Sequence, residues 1–175
     1  SVVFAMNDLS NASANTTSPT DAFSTIAFDY GTNLSLKGIL EITKADGTPS
    51  GIKGLKIGND SGKKETEINW LVRPAAGLTF TPTKVSGYVN RCGTNVEKGI
   101  VISAHKANGE VVALGTYTAW RQGKATSDQT YDNTAIHQFE IPLTAEQQAA
   151  LAGTDGFYLT STIGVAKNKQ AVFGP

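Results

Sequence analysis

Aromatic and polar residues suited to contact a sugar are concentrated in one stretch, TYTAWRQGKATSDQTYDN, residues 116 to 133. Sugar rings present apolar C–H faces and hydroxyl groups. A protein that binds them therefore tends to combine a flat aromatic ring with Arg, Asn, Gln or Asp side chains. The candidate ligand contacts of these types in the stretch are Tyr117, Trp120, Arg121, Tyr131 and Asn133. This stretch is the predicted binding surface.

Strand alternation divides the aromatic residues of this stretch between two faces. Trp120 shares a face with Thr116, whereas Tyr117 and Arg121 share the other. The Gln-Gly pair after Arg121 predicts that the strand ends there, which places Trp120 at a rim. A Trp at a rim either stacks on a sugar or fills the edge of the core, and the sequence leaves both interpretations open.

Three further cationic residues, Arg73, Arg91 and Lys169, are candidate contacts if the ligand is a polymer of uronic acids. A guanidinium matches the two oxygens of a carboxylate, and an ammonium supplies a point charge. Each of the three residues fits equally well in an ordinary ion pair. Trp70 differs from these candidates, because Ile68, Trp70 and Val72 alternate onto one face and predict a core position.

The sequence offers no recognisable catalytic set. His105, His137 and Cys92 do not approach the spacing of metal ligands, and neither a Gly-x-Ser-x-Gly motif nor a phosphate-binding glycine loop is present. We therefore predict that the chain is not an enzyme and needs no cofactor. Asp128 and Asp132 leave one alternative open, since they are either solvated loop residues or ligands of a structural calcium ion.

The amino-acid composition limits the classes of partner that the protein can bind and the compartments in which it is expected. Fifteen basic and fifteen acidic residues cancel in a chain of 175 residues, so no basic field exists to hold nucleic acid. No apolar run approaches the roughly 18 residues of a membrane span. Eighteen glycines, many Ser, Thr and Asn residues and only 17% charged residues favour a secreted or bacterial cell-surface all-β protein.

Short segments with β-strand patterns, separated by turn residues, predict an all-β fold: a single antiparallel β-sandwich, jelly-roll-like, with one short helix. Asn108-Gly109 indicates a tight hairpin, and Thr144 with Gln147 predicts a capped helix that runs to Leu151. Residues 7 to 22 lack apolar spacing and are predicted to form a surface loop. The predicted strands are Val2 to Ala5, Thr25 to Tyr30, Leu36 to Thr43, Gly54 to Ile57, Thr66 to Val72, Lys84 to Arg91, Gly99 to His105, Val111 to Trp120, Ile136 to Ile141 and Gly156 to Ile163.

Three motifs in order, TFTPTKVS at 79 to 86, RCGT at 91 to 94 and KQAVFG at 169 to 174, carry a resemblance to a known family. The chain resembles a β-sandwich module found beside catalytic domains in secreted bacterial pectate lyases and related pectin-degrading enzymes, over roughly residues 53 to 174. The resemblance implies an accessory, carbohydrate-binding role and a covalently attached catalytic domain. The family usually has one more strand after this point, which favours a fragment of a longer protein.

Two functions of different classes follow from these observations. The first is a noncatalytic carbohydrate-binding module that holds an attached enzyme near polysaccharide, with pectin as the candidate ligand. The second is a structural spacer or a cell-surface adhesion sandwich that binds no glycan. Exposed aromatic rings beside a groove would favour the first, and fully buried rings would favour the second.

Overall fold

The structure, a computed structural model, describes residues 3–4, 16–17, 22–29, 35–43, 49–58, 66–92, 96–117, 137–165 and 170–174. These residues form twelve strands and one helix. The strands are β1 Val3–Phe4, β2 Thr16–Thr17, β3 Phe23–Asp29, β4 Ser35–Thr43, β5 Pro49–Gly58, β6 Thr66–Pro74, β7 Lys84–Cys92, β8 Val96–Lys106, β9 Val111–Tyr117, β10 His137–Pro142, β11 Phe157–Val165 and β12 Gln170–Gly174, and helix α1 spans Ala145–Leu151.

Two five-stranded antiparallel sheets make up the architecture. The first sheet has the strand order β10-β7-β12-β5-β4, and the second has the order β3-β6-β11-β8-β9. A two-stranded ladder of β1 and β2 accompanies them. The prediction of an all-β antiparallel sandwich with one short helix is therefore confirmed, while jelly-roll connectivity stays a prediction.

The core forms where alternate residues of the second sheet point inward. Ile68, Trp70 and Val72 of β6 are buried, with Trp70 only 6% exposed, as the alternation predicted. The remaining members of the buried cluster come from β8, β9, β10, β11, the helix and the residue that follows β10: Ile100, Ile102, Ala104, Leu114, Phe139, Leu143, Leu151 and Phe157. Burial of these apolar side chains supplies the main driving force for packing.

The two sheets meet at an aromatic contact between β9 and β10. The Tyr117 and Phe139 rings lie with centroids 5.7 Å apart, and burial raises the pKa of the Tyr117 hydroxyl. Phe139 also covers Gly87 of β7, where a Cβ atom would come within 2.9 Å of the ring. Glycine at position 87 thus leaves the space that the Phe139 ring occupies.

Helix α1 begins with the predicted capping box. The Gln147 backbone N–H donates to Thr144 Oγ1 at 3.2 Å, and the Thr144 backbone N–H donates to Gln147 Oε1 at 2.8 Å. Gln147 Nε2 also donates to the backbone oxygen of Ala113 in β9 at 2.9 Å, which ties the helix to the second sheet. No helix in the described part of the chain is long and apolar enough to cross a membrane.

Replacing Thr144 by alanine is expected to destabilise the protein by about 1 kcal/mol, because the Gln147 N–H loses its side-chain acceptor. For a chain of this size the melting temperature should fall by about 2–4 °C in thermal unfolding. Thr79→Ala is the matched control, since Thr79 is exposed and makes no side-chain hydrogen bond with the described residues. Equal melting temperatures for the two variants would contradict the capping role.

The hairpin between β8 and β9 forms at the predicted Asn108-Gly109 turn. Gly109 adopts φ of 88°, a conformation that favours glycine. Asn108 Oδ1 accepts from the Glu110 backbone N–H at 2.9 Å, and an ion pair of 2.8 Å joins Lys106 to Glu110 beside the turn. Local side-chain chemistry therefore sets this turn, which explains why the sequence revealed it.

Three strand predictions were wrong or incomplete. β5 begins at Pro49 rather than Gly54, because its pairing with β4 overrides the turn signals of Pro49 and Gly51. β12, Gln170–Gly174, was not predicted, although it lies inside the first sheet between β7 and β5. Within the predicted loop over residues 7 to 22, Thr16–Thr17 pairs with Val3–Phe4; Ala22 lies in a turn, and the other residues of that loop lie outside the described residues.

Candidate functional site

An open groove of about 550 Å³ crosses the outer face of the second sheet. This face is the one opposite the core, so its side chains are the alternate residues of β6, β11, β8 and β9. The groove volume falls in the range of about 300–1,000 Å³ that is typical of ligand sites. The lining residues are Glu67, Asn69, Ser103, His105, Val111, Tyr158, Thr160 and Thr162.

Strand register arranges these residues in three rows that run across the strands. Each row crosses β6, β11, β8 and β9 in that order, and the strand spacing gives it a length of about 14 Å. The first row is Leu71, Tyr158, His105 and Val111; the second is Asn69, Thr160, Ser103 and Ala113; the third is Glu67, Thr162, Val101 and Thr116. The pairing of the four strands thus forms this surface, and each strand contributes one residue to each row.

The first row exposes two large side chains with apolar surface to solvent. Tyr158 is 44% exposed and Val111 is 55% exposed, with His105 between them. Val101 in the third row is also exposed. Large apolar side chains this exposed on one face leave carbon surface available to a partner, and a tyrosine ring adds a hydroxyl at its edge.

The second row forms a polar floor with fixed hydrogen bonds. Thr160 is only 6% exposed although it points away from the core, and its Oγ1 donates to Asn69 Oδ1 at 2.8 Å. On the other side, Ser103 Oγ and His105 Nε2 lie 3.2 Å apart in a hydrogen bond whose direction depends on the imidazole tautomer. These contacts orient an amide, two hydroxyls and an imidazole toward one groove.

The groove carries little charge. Glu67 is the one carboxylate among its lining residues, which include neither Lys nor Arg. Among the residues that the structure describes, no group of three or more His, Cys, Asp or Glu side chains is placed to hold a metal ion. The lining of the groove is suited to hydrogen bonding and apolar contact.

Among the ligand contacts predicted from sequence, the structure describes the side chains of Tyr117 and Arg73 alone. Trp120, Arg121, Tyr131, Asn133 and Lys169 lie outside the described residues, as do Asp128 and Asp132. Arg91 lies in β7 of the first sheet, opposite Ala171, and its side chain is outside the described part. Tyr117 is half-buried and points between the sheets toward Phe139, on the opposite face from the groove.

Sequence reasoning missed Tyr158, Thr160 and Thr162, and a signal for them existed. In the segment FYLTST, Tyr158, Thr160 and Thr162 alternate with Phe157, Leu159 and Ser161. The first three residues therefore share one face of β11, and each carries a hydroxyl group. The residues of β6 and β8 that lie beside this face of β11 could not be assigned without knowledge of the strand register.

Comparisons with known proteins identify no family for the chain. No family model matches the chain, and no curated protein matches it. An exo-β-agarase structure is similar over 90% of this chain with 13% identity and a TM-score of 0.48, and the chain spans only 23% of that protein. The module TmCBM61 in complex with β-1,4-galactotriose is similar over 89% of this chain and 88% of its own length, with 11% identity and a TM-score of 0.40.

Proposed function

We propose that the chain is a noncatalytic carbohydrate-binding module that holds an attached enzyme near polysaccharide. The observation that carries this proposal is the groove on the second sheet, where an exposed Tyr158 ring lies beside a floor of hydroxyl and amide groups. The ring offers a face for sugar C–H groups, and Thr160, Ser103 and Asn69 offer polar atoms for sugar hydroxyls. An open groove accommodates a segment inside a long chain as well as its end.

The groove chemistry also supports a binding role rather than turnover. Glycoside hydrolysis in most families needs two carboxyl groups that face each other across the scissile bond. The lining residues of this groove supply one, Glu67. We therefore expect the pure protein to release no unsaturated or reducing products from pectin or other polysaccharides.

The setting of the module is proposed from the sequence. The low charge content and the many Gly, Ser and Thr residues support a secreted or cell-surface protein whose single domain spans residues 1 to 175. The resemblance to modules of pectin-degrading enzymes supports a covalently attached catalytic domain and a plant cell-wall polysaccharide as partner. The cancelling charges of the chain argue against nucleic acid.

Affinity electrophoresis and calorimetry against a panel of polysaccharides test this proposal. The panel contains galactan, arabinan, xylan, xyloglucan, agarose, cellulose and pectins of low and high methyl esterification. We expect saturable binding to at least one of them. Binding to none would reject the module and favour the structural spacer.

A second location for the same function is Trp120 with Arg121 and Tyr131, which we propose from the sequence. Trp120→Ala is expected to weaken binding about 10-fold or more if its ring stacks on sugar. If the ring fills the core instead, the variant should retain affinity and lose thermal stability. Measuring both quantities on one protein sample separates these interpretations.

A further inference from the structure

The charge of the groove bears on the kind of glycan that fits it. Glu67 lies in the third row beside Thr162, and Asn69, the next residue of β6 on this face, pairs with Asp29 of β3. A polyuronate would bring one carboxylate with every sugar into contact with this row. Like charges a few ångströms apart repel unless a cation lies between them.

No described cation is placed to relieve this repulsion. Arg73 shares the outer face of β6, but six residues of extended strand separate it from Glu67 by about 20 Å. The Arg73 Nε also donates to the Asp155 backbone oxygen at 3.3 Å, at the far end of the strand. Lys106, next to His105 in β8, is paired with Glu110 at 2.8 Å.

The remaining groups of the groove are neutral hydrogen-bonding partners. The hydroxyls of Ser103 and Thr162 can each donate and accept, as sugar hydroxyls do, whereas the Thr160 hydroxyl already donates to Asn69 Oδ1. Tyr158 and Val111 supply an apolar surface. The C–H face of an uncharged pyranose packs against such a surface at a small cost in desolvation free energy. The lining therefore matches an uncharged sugar in both its polar and its apolar parts.

We propose that the groove selects an uncharged glycan over a polyuronate, and that Glu67 is the residue that sets this selection. The inference rests on the proposed function, because it concerns the ligand of the same groove. Within pectin it favours the methyl-esterified backbone, whose carboxyls are neutral, over polygalacturonate. It departs from the uronate contacts that the sequence suggested for Arg73, Arg91 and Lys169.

Pairs of glycans that differ only in charge test the selection by calorimetry at low ionic strength. Highly methyl-esterified pectin is compared with the same sample after de-esterification, and galactan and cellulose are each compared with the form oxidised at C6 to the uronate. We expect the charged member of a pair to bind about 10-fold more weakly or worse, and the difference to shrink when salt is added.

Variants of Glu67 assign the effect to this residue. Glu67→Gln should narrow the ratio of neutral-glycan affinity to uronate affinity, because it removes the repulsion of the uronate, and Glu67→Lys should make the uronate the better ligand at low salt. Glu146→Lys is the matched control, since it makes the same charge change on an exposed helix residue away from the groove.

The outcomes of these experiments distinguish the proposed selection for neutral glycans from the proposed glycan-binding function. Equal or tighter binding of the charged member by the unaltered protein would overturn the selection and leave the glycan-binding function standing. Selection for the neutral member that persists in Glu67→Lys would overturn the role of Glu67. Binding to neither member of any pair would reject the proposed function, and the inference with it.

Discussion

Replacing Gly156 by alanine is expected to destabilise the protein by at least about 3 kcal/mol, through backbone strain and steric overlap together. Gly156 adopts φ of 73°, which L side chains rarely adopt. A Cβ atom there would overlap the Val72 backbone oxygen and lie 2.7 Å from Arg73 Cα. Both contacts are with the backbone of β6, which cannot withdraw without breaking its pairing with β11.

Gly109→Ala is the matched control for this prediction. Gly109 also has a positive φ, 88°, yet a Cβ atom there would meet nothing within 4 Å. Alanine at position 109 should therefore cost only about 1–2 kcal/mol, the strain of the left-handed conformation alone. Urea unfolding of both variants provides the measurement. Similar urea midpoints for the two variants would show that the close approach of Gly156 to β6 contributes nothing to the loss of stability.

Replacing Tyr158 by alanine is expected to lower glycan affinity about 10- to 100-fold, or about 1–3 kcal/mol, with an almost unchanged melting temperature. The ring is 44% exposed on the outer face, so its loss removes contact surface for a ligand but little of the core. Tyr158→Phe keeps the ring and should retain most of the affinity. Calorimetry with the tightest-binding polysaccharide of the panel measures the difference.

Leu78→Ala provides the control for nonspecific loss of exposed apolar surface. Leu78 is 46% exposed in the connection between β6 and β7 and does not line the groove. Its replacement should leave glycan affinity unchanged. If Tyr158→Ala behaves like Leu78→Ala, the groove on the second sheet is not the binding site, and the surface around Trp120 becomes the stronger candidate.

These two predictions are linked through the start of β11. Gly156 lets the chain approach β6 closely, and the next residue, Phe157, pairs with Val72. That register places Tyr158 beside His105 in the first row of the groove. A shift of one residue would turn Tyr158 into the core and Phe157 to solvent.

The sequence by itself determined the features that depend on neighbours in the chain. Thr144 and Gln147 specify the helix start because the capping box closes over three residues. Asn108-Gly109 specifies a hairpin for a similar local reason. The alternation of Ile68, Trp70 and Val72 identified the buried face of β6, since side chains in a strand alternate between the two faces whatever their partners are.

Only the tertiary structure decided where the candidate site lies. The groove joins β6, β11, β8 and β9, and Glu67 and Thr162 are 95 positions apart in sequence yet adjacent in the ladder. No short-range pattern encodes that pairing, because it depends on strand order and register across the sheet. Tyr117 shows the same limit: alternation separated it from Thr116, but only the packing of β9 against β10 showed that its ring points toward Phe139.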